Sequence, residues 1–483
     1  MADLHIRIDR AKGGIAGQIA SELRDSIRGG RLAPGTRLPA TRDLAADLQV
    51  SRGVVVEAYE QLVAEGFLVS RVGVGTQVTP ANTPQRAAAP PRPQPVRRGT
   101  ASASPSPVPY HGHRPTSPDL SHFPRERWLA AVRHVLTTVP SDALDYGDPG
   151  GVPELREELA GYLRRVRAAD VRPENLIVVS GVAQGLSLAL HVMAGHVMAG
   201  HVVNGQRPLR LAVEDPTSHR QVPLIKRTGA HVLPVPVDEE GIDVRRAGGD
   251  AVLVTPAHQF PTGVVLSPAR RAALMEWAYA GRRLILEDDY DAEFRFDRDP
   301  VGCLQGLAPD RVILCGSVSK ALAPGLRLGW VAAPPDLAEA IRRARGELDL
   351  GSPVIDQYAL AHFLRTGAYD KHLRRMRREY RRRRDALVSA LAAELPEVRV
   401  RGIEAGLHVY LELPDGWDEP RTVRAAAELG LLVEAVGPMR RTPGPAAVVM
   451  GFARLPAHKA EAAVRGLKVR MSGQTLTDRE RRA

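Results

Sequence analysis

Lys320 lies in a stretch that could bind an aldehyde carrying a phosphate group. Ser317 and Ser319 flank it, and Arg327 follows seven residues later. Most cationic positions in this chain are arginine, and a primary amine forms an imine with an aldehyde whereas a guanidinium does not. Hydroxyl groups and an arginine beside that amine would bind the phosphate. Taken alone, the stretch could also be a strand followed by a glycine–serine loop with an incidental lysine.

Asp288 and Tyr290 follow a second apolar run and could bind an aromatic ring. Residues 283–286 predict a buried strand, and a buried carboxylate at its end is costly unless it is paired. Asp288 and Asp289 both end this strand, and a protonated pyridine nitrogen would be a suitable partner for such a carboxylate. Tyr290 could bind a phenolic oxygen of the same ring. Together with Lys320, this is the set of groups that pyridoxal 5′-phosphate requires. A metal site or a solvated strand end is the alternative interpretation of the acidic run.

The elements around these residues predict an α/β domain. From about residue 110 onward, helical and strand patterns alternate, which favours a mostly parallel sheet. In such sheets, ligands bind at the carboxyl ends of the strands. Loops that follow apolar strands in this way lie at 181–185, 214–220, 256–263, 287–294 and 316–320. We therefore expect these loops to form one site.

Length and composition limit the number of domains and the class of protein. A chain of 483 residues predicts two or three domains. The net charge of +11 permits a polyanionic partner, and two cysteines cannot form a disulfide framework. With no apolar run near 20 residues and no signal sequence, we expect no membrane partner and a cytoplasmic location. The expected organisation is a winged helix at 1–80, a Pro/Ala/Arg-rich linker at 81–109, the α/β domain at 110–470 with a smaller lobe from about 370, and a polar tail at 471–483.

Residues 1–80 predict three helices followed by a β-hairpin, which is the pattern of a winged helix-turn-helix. They closely resemble the GntR-type DNA-binding domain, through the sequence GRLAPGTRLPATRDLA at 30–45 and the later short matches at 50–52 and 58–66. The resemblance implies a double-stranded DNA operator as partner, contacted by Arg42, Ser51, Arg52 and the backbone near Gly75. A winged helix used for protein contacts is the alternative. Charges within this unit are nearly balanced.

The part from 110 to 470 resembles fold-type I aminotransferases, and the whole chain is similar to the MocR/GabR-type regulators that join both domains. The motifs that carry this resemblance are YGDPGG at 146–151, SGVAQ at 180–184, EDP at 214–216, TPAHQFPTG at 255–263, EDDYDAEF at 287–294, SVSK at 317–320, PGLR at 324–327, AGLH at 405–408 and GFA at 451–453. The resemblance implies a PLP-dependent transferase-like large domain and a smaller C-terminal lobe.

The resemblance also implies individual roles. Lys320 would form the Schiff base with pyridoxal 5′-phosphate, Asp288 would face its pyridine nitrogen, and Tyr290 its phenolic oxygen. The phosphate would be bound by Arg327, Ser317 and the amides near Ala183 and Gln184, with Tyr146 reaching it from a partner subunit. Arg220 matches an arginine implicated in effector binding. Ser218 stands where a ring-contacting tyrosine is usual, and the arginine for an effector carboxylate has three candidates, Arg440, Arg441 and Arg454.

The combined interpretation is a transcription regulator that senses pyridoxal 5′-phosphate itself, or an amine or amino-acid effector, and acts as a head-to-tail homodimer. No metal is expected. One alternative is an active aminotransferase with an accessory DNA-binding domain, and another is a cofactor-free dimerisation scaffold. The arginine-rich segment 371–384 is interpreted as a solvated helix between two lobes, with nucleic-acid binding as its alternative.

Overall fold

The computed structural model describes residues 4, 6, 8–65, 67–71, 75–79, 114–200, 208–296, 302–402 and 404–480. The chain divides into two compact units, residues 1–107 and 108–483. The predicted linker at 81–109 lies outside the described residues.

The first unit is a winged helix, as the sequence predicts. Its elements are α1 (Ile15–Arg28), α2 (Thr41–Asp47), α3 (Arg52–Ala64), β1 (Leu68–Arg71) and β2 (Gly75–Val78). The two strands pair antiparallel. Apolar residues at helical spacing form its core, among them Ile19 and Leu23 of α1 and Val55 and Leu62 of α3, which are fully buried. The helices are thus held together by one apolar face each.

The second unit contains the remaining helices and strands. They are α4 (Arg125–Thr138), α5 (Pro153–Arg167), β3 (Leu176–Val179), α6 (Val182–Gly200), β4 (Arg210–Asp215), α7 (Gln221–Arg227), β5 (His231–Asp238), β6 (Gly241–Ile242), β7 (Ala251–Val254), α8 (Pro268–Ala280), β8 (Leu284–Asp289), β9 (Val312–Ser317), β10 (Gly329–Ala332), α9 (Pro335–Asp349), α10 (Val354–Arg365), α11 (Ala368–Glu394), β11 (Arg399–Arg401), β12 (His408–Glu412), α12 (Glu419–Glu428), β13 (Leu432–Ala435), β14 (Ala447–Gly451) and α13 (Ala460–Glu480).

A large mixed sheet organises this unit. Its eight strands lie in the order β3-β10-β9-β8-β7-β4-β5-β6. The five adjacent strands from β9 to β5 run parallel, whereas β10 runs antiparallel to both of its neighbours and β6 antiparallel to β5. The predicted mostly parallel sheet is confirmed. Because β9, β8, β7 and β4 are neighbours and parallel, their carboxyl ends meet at one edge.

Apolar packing covers both faces of this sheet. In β3, Leu176 and Val178 belong to one buried cluster, while Ile177 and Val179 belong to another. Successive side chains of a strand point to opposite faces, so this division shows that β3 is covered on both sides. This explains why its sequence is a continuous apolar run instead of an alternating one.

A smaller antiparallel sheet forms the C-terminal part of the unit. Its strands lie in the order β11-β12-β14-β13. The long helix α11 precedes it, and α13 follows it and continues through residues 471–480 of the expected polar tail. No helix among the described residues is both long enough and apolar enough to cross a membrane.

Candidate cofactor site

Two neighbouring parallel strands position the central residues of the candidate site. Asp288 of β8 is paired in register with Cys315 of β9, two residues before Ser317. Both strands therefore end at the same edge, and their following loops carry Tyr290 and Lys320. The convergence of these loops, predicted from the sequence, is present in the fold.

Lys320 is a half-buried amine held by one hydrogen bond. Its Nζ donates to Thr116 Oγ1 at 3.1 Å. Burial lowers the pKa of Lys320 to about 8, partly opposed by the nearby carboxylates of Asp291 and Asp288. A larger fraction of this amine is neutral at neutral pH than in an exposed lysine, and the neutral amine is the nucleophile.

Asp288 is buried, and only one of its two carboxylate oxygens has a hydrogen-bond partner among the described residues. Its Oδ2 accepts a hydrogen bond of 2.6 Å from Gln221 Nε2. Its Oδ1 is buried and has no hydrogen-bond partner among the described residues. Burial raises the pKa of Asp288 to about 7. An unsatisfied carboxylate oxygen is costly, so this atom needs an N–H donor, which the described residues do not supply.

The adjacent acid, Asp289, has a structural role. Its carboxylate accepts two hydrogen bonds from Arg167, at 2.8 and 2.9 Å, in a pair that is almost fully buried. Removing one partner of such a pair leaves an uncompensated buried charge. The two acids at the end of β8 are therefore distinct, since Asp289 is paired with Arg167 and Asp288 Oδ1 has no hydrogen-bond partner in the described part of the chain.

Tyr290 lies in a buried polar cluster that sequence reasoning missed. Its hydroxyl is 3.0 Å from His258 Nδ1, which also lies 3.0 Å from Asp291 Oδ2. The ring of His408 lies next to that of His258, with centroids 5.0 Å apart. Candidate ligand atoms of His258, Asp291 and His408 all lie within 4.8 Å of one another. The signal in the sequence was the presence of polar residues in loops that follow β7 and β8 and at the start of β12.

Ser317, Arg327 and the start of α6 form an anion-binding arrangement. Gly181 has φ +104, and a Cβ there would lie only 3.2 Å from Arg327 Nη2, so glycine lets the guanidinium approach the backbone. Ser317 is buried at the end of β9, and its Oγ accepts a hydrogen bond of 3.4 Å from the Ser319 amide. These groups surround a helix N-terminus, where free amides favour an anion.

The backbone amides of Ala183 and Gln184, both expected to bind the phosphate, differ in whether they already have an acceptor. The Gln184 amide already donates to Gly181 O at 3.1 Å, while its side chain binds the Ser180 amide and Asp349. Ala183 is in the first turn of α6, where a backbone N–H has no intrahelical acceptor. Of the two, the Ala183 amide is the one available to a ligand.

Tyr146 stays outside this cluster within a single chain. Its side chain is 82% exposed, and no hydrogen bond of its hydroxyl occurs among the described residues. A tyrosine ring this exposed is free to contact another molecule.

Arg220, the candidate effector residue, is paired with Glu434 of β13. Its Nη1 and Nη2 donate to the two carboxylate oxygens at 3.1 and 2.9 Å. Arg220 also lines a cavity of about 960 Å³ together with Ala183, Gln184 and His219. Burial lowers the pKa of His219, and its buried Nδ1 has no partner among the described residues. The cavity therefore adjoins both the anion-binding arrangement and the effector candidate.

The three candidates for an effector carboxylate have partners of their own. Arg440 donates to the hydroxyl of Tyr410 at 2.5 Å. Arg441 is exposed, and its backbone amide binds Asp215 at 2.8 Å. Arg454 is half-buried and also interacts within the chain. Arg220 lines the cavity, whereas none of these three arginines is among its lining residues.

In the winged helix, the predicted DNA-binding residues are exposed. Arg42, Ser51 and Arg52 lie on α2 and at the start of α3. Ser51 occupies the N-cap position of α3 without making a side-chain capping bond, and Arg52 Nε donates to Thr41 Oγ1 at 3.4 Å. Gly75 has φ +93 and begins β2. The N-terminal end of α3 therefore presents the exposed Ser51 hydroxyl and the Arg52 guanidinium, and α2 presents Arg42.

Comparisons with known proteins agree with both units. Residues 117–439 match the family model "Aminotransferase class I and II", and residues 15–78 match "Bacterial regulatory proteins, gntR family". Among solved structures, the multiple substrate aminotransferase of Thermococcus profundus superposes with a TM-score of 0.66 at 26% identity, covering 75% of this chain and 91% of that one. The α-aminoadipate aminotransferase LysN of Thermus thermophilus, complexed with N-(5′-phosphopyridoxyl)-L-leucine, superposes with a TM-score of 0.65 at 26% identity. The match covers 75% of this chain and 92% of that one. The fold thus defines a winged-helix domain fused to a pyridoxal-phosphate transferase fold.

Relatives that share both units are transcription regulators. The pyridoxine biosynthesis regulator PdxR of Corynebacterium glutamicum is 36% identical over 90% of this chain and 91% of its own length. The probable rhizopine catabolism regulatory protein MocR of Rhizobium meliloti is 31% identical, over 86% and 85%. The regulator TauR of Rhodobacter capsulatus is 31% identical, over 92% and 96%. The chain belongs to the MocR-type family of transcription regulators, in which a gntR-family domain is joined to an aminotransferase class I and II domain.

Proposed function

We propose that this chain regulates transcription by binding an operator through its winged helix and pyridoxal 5′-phosphate through the site around Lys320. The observation that carries the proposal is the buried Oδ1 of Asp288, which has no hydrogen-bond partner among the residues that the structure describes. A pyridinium N–H is the donor that would satisfy it. The adduct bound by LysN, which carries a phosphopyridoxyl group, supports the same cofactor here.

The residues of the site fit this cofactor. Asp288 Oδ1 would accept the ring N–H, and Tyr290 would bind the phenolic oxygen. Arg327, the Ser317 hydroxyl and the Ala183 amide would bind the phosphate. When bound, pyridoxal 5′-phosphate supplies an aldehyde that condenses reversibly with amines. Lys320, as a partly neutral amine, would hold that aldehyde until a competing amine displaces it.

The effector would be either the cofactor itself or a small amine or amino acid. A competing amine would enter through the cavity beside Arg220, whose guanidinium suits a carboxylate. A ligand can shift the regulator between two states only by the difference in its affinity for them. The Arg220–Glu434 ion pair, which joins α7 to β13, is a contact that such a ligand would change.

The assembly belongs to the same proposal. We expect a head-to-tail homodimer in which the exposed Tyr146 reaches the cofactor site of the second copy. We also propose the domain boundaries expected from the sequence: a DNA-binding domain at 1–80, a linker at 81–109, a cofactor domain at 110–470 and a tail at 471–483. The second copy would complete a phosphate site that one chain supplies only in part.

Thermal stability tests the cofactor part of the proposal. At about 100 times its Kd, pyridoxal 5′-phosphate should stabilise the chain by about 2.7 kcal/mol. Lys320→Ala should lose most of this stabilisation, whereas the exposed Lys226→Ala should keep it. An equal thermal shift in wild type and Lys320→Ala would contradict a role for Lys320.

An active aminotransferase is the second candidate. The amine of Lys320, whose pKa is lowered to about 8, and the transferase fold favour it. Purified protein would then convert an amino donor and a keto acid with turnover. A regulator would bind the amine without releasing a keto-acid product at a catalytic rate.

A further inference from the structure

A cleft lined by cationic side chains lies in the second unit, and the cofactor site does not use it. It has a volume of about 940 Å³. Arg125 and Arg127, at the start of α4, form one wall. Lys371, Arg374, Arg378 and Arg381 of α11 form the other. We call these six cationic residues and the space between them the arginine groove. The same cleft is also lined by one acid, Glu126, and by Arg295, Arg375 and Arg377.

The charges on the groove side of α11 lack carboxylate partners. Arg374 and Arg378 are exposed and make no ion pair among the described residues, and Arg381 approaches Asp385 only to 4.0 Å. In contrast, Arg382 and Arg383, which do not line the groove, both pair with Glu379 at 2.7 Å. Among the described residues, the helix therefore pairs these two arginines with an acid and leaves Arg374 and Arg378 without an ion pair.

The spacing of these residues places them in one row. Positions 371, 374, 378 and 381 repeat at intervals of three and four residues, so they share a face of the helix. At 1.5 Å per residue, the row is about 15 Å long. Like charges at this spacing repel one another, so a bound anion would reduce that repulsion. The N-terminus of α4, a helix of 14 residues, adds partial positive charge on the opposite wall.

The nearly balanced charge of the winged-helix unit indicates that the anion bound by the arginine groove is DNA. Residues 1–79 contain ten Lys and Arg against nine Asp and Glu, although the whole chain carries +11. Sequence-independent affinity for DNA comes from cations that neutralise phosphates, and the winged helix has almost no excess of them. Duplex DNA rises about 3.4 Å per base pair along its axis, so the row on α11 is about as long as four base pairs.

We propose that the arginine groove binds the phosphate backbone of duplex DNA outside the sequence read by the winged helix. This inference rests on the proposed DNA-binding function. It differs from the interpretation of residues 371–384 as a merely solvated helix, because Arg374 and Arg378 line a concave surface and make no ion pair within the part of the chain that the structure describes. The groove would supply affinity and salt dependence without sequence selectivity.

The test measures DNA binding by the full-length protein as a function of salt. The probe is a fluorescein-labelled duplex that the wild-type protein selects from a random pool, with and without flanking DNA. In Arg374→Ala/Arg378→Ala, the plot of log K against log salt concentration should become shallower by about 1.8 on the flanked duplex. On the duplex without flanks, the variant and wild type should give nearly equal slopes. Arg374→Lys/Arg378→Lys should keep most of the wild-type slope.

Matched controls separate this inference from the proposed function. Arg164→Ala/Arg399→Ala removes two exposed arginines outside the groove and should leave the slope unchanged. If the groove variant binds the flanked duplex with the wild-type slope while Arg52→Ala weakens binding, the groove inference is wrong and the winged-helix function stands. If the groove variant instead changes the oligomeric state in sedimentation, the groove is a contact between copies and the inference is also wrong. Failure of wild type to select any duplex would contradict the proposed function itself.

Discussion

Arg220 and Glu434 form an ion pair with two hydrogen bonds, of 3.1 and 2.9 Å, between the start of α7 and β13. The arginine expected to bind an effector carboxylate thus already binds a carboxylate of this chain. An amino-acid effector would have to displace Glu434, and displacement would break a contact between the loop after β4 and the smaller sheet. Competition between these two carboxylates is a physical means by which ligand binding could change conformation.

Removing the internal competitor should strengthen amino-acid binding. The pair is partly exposed, 30% for the Arg220 side chain and 19% for that of Glu434, so we assign it about 0.2–1 kcal/mol. Glu434→Gln should therefore increase affinity for the amino acids that bind by up to about fivefold. Calorimetric titration of cofactor-loaded protein with the standard amino acids and β-alanine measures this. Glu428→Gln, which removes an exposed acid paired with Arg470, is the control and should have no effect.

Asp288 should make the stability of the cofactor-free protein depend on pH. Burial raises the pKa of Asp288 from 3.8 to about 7, so the folded chain binds a proton that the unfolded chain releases above pH 3.8. The protonated carboxyl is stabilising below about pH 4, and this contribution is lost as pH rises through 7. Asp288→Asn should therefore be more stable than wild type at pH 8 by up to about 4 kcal/mol, with no difference near pH 4.

Denaturant unfolding at both pH values checks this expectation. The same variant should bind pyridoxal 5′-phosphate more weakly than wild type, since an amide cannot neutralise a pyridinium. Equal stability of the two proteins at pH 8, or unchanged cofactor affinity, would show that Asp288 does not carry the cost we assign to it.

Gly181 should be needed for the anion-binding arrangement of Ser317, Arg327 and the start of α6. Alanine there would be strained at φ +104 and would press against the Arg327 guanidinium. We expect Gly181→Ala to destabilise the chain by about 1–3 kcal/mol. It should also reduce the preference for pyridoxal 5′-phosphate over pyridoxal. Gly161→Ala in α5 is the matched control, since its Cβ meets nothing within 4 Å and helix propensity should stabilise it by about 1 kcal/mol.

Arg52 should contact a phosphate or a base edge of the operator. If it binds a phosphate, Arg52→Ala should reduce the salt slope of operator binding by about one. If it binds a base edge, affinity should fall by about 1–3 kcal/mol with a relaxed preference at one position. Anisotropy titrations on the selected duplex distinguish the two. Arg31→Ala, which removes a guanidinium bonded to Ser26, should behave as wild type.

Local pattern in the sequence was sufficient for the elements and for several site residues. The apolar run before Asp288 lies in β8, the apolar run before Lys320 lies in β9, and the two strands are adjacent. Short apolar runs bounded by turn residues indicate buried strands. The three helices of the winged helix could also be predicted from the sequence, because each buries one apolar face. Assignment of single residues within the site remains a prediction.

The contacts that neutralise or position these residues could not be read from local pattern. Thr116 lies 204 residues from Lys320, and Glu434 lies 214 residues from Arg220. Such pairings depend on how distant segments pack, and no periodicity in the sequence encodes them. For the same reason, local pattern did not separate Asp289, which is paired with Arg167, from Asp288, whose Oδ1 has no hydrogen-bond partner among the described residues.

Chemical trapping at Lys320 tests the central claim most directly. Borohydride added to protein loaded with pyridoxal 5′-phosphate should abolish the visible absorption band and leave the reduced cofactor on the peptide that contains Lys320. Lys320→Ala should show neither the band nor the modified peptide, while Lys226→Ala should show both. A modification spread over exposed lysines such as Lys226, or a wild-type protein that stays unmodified at Lys320 under saturating cofactor, would contradict the account.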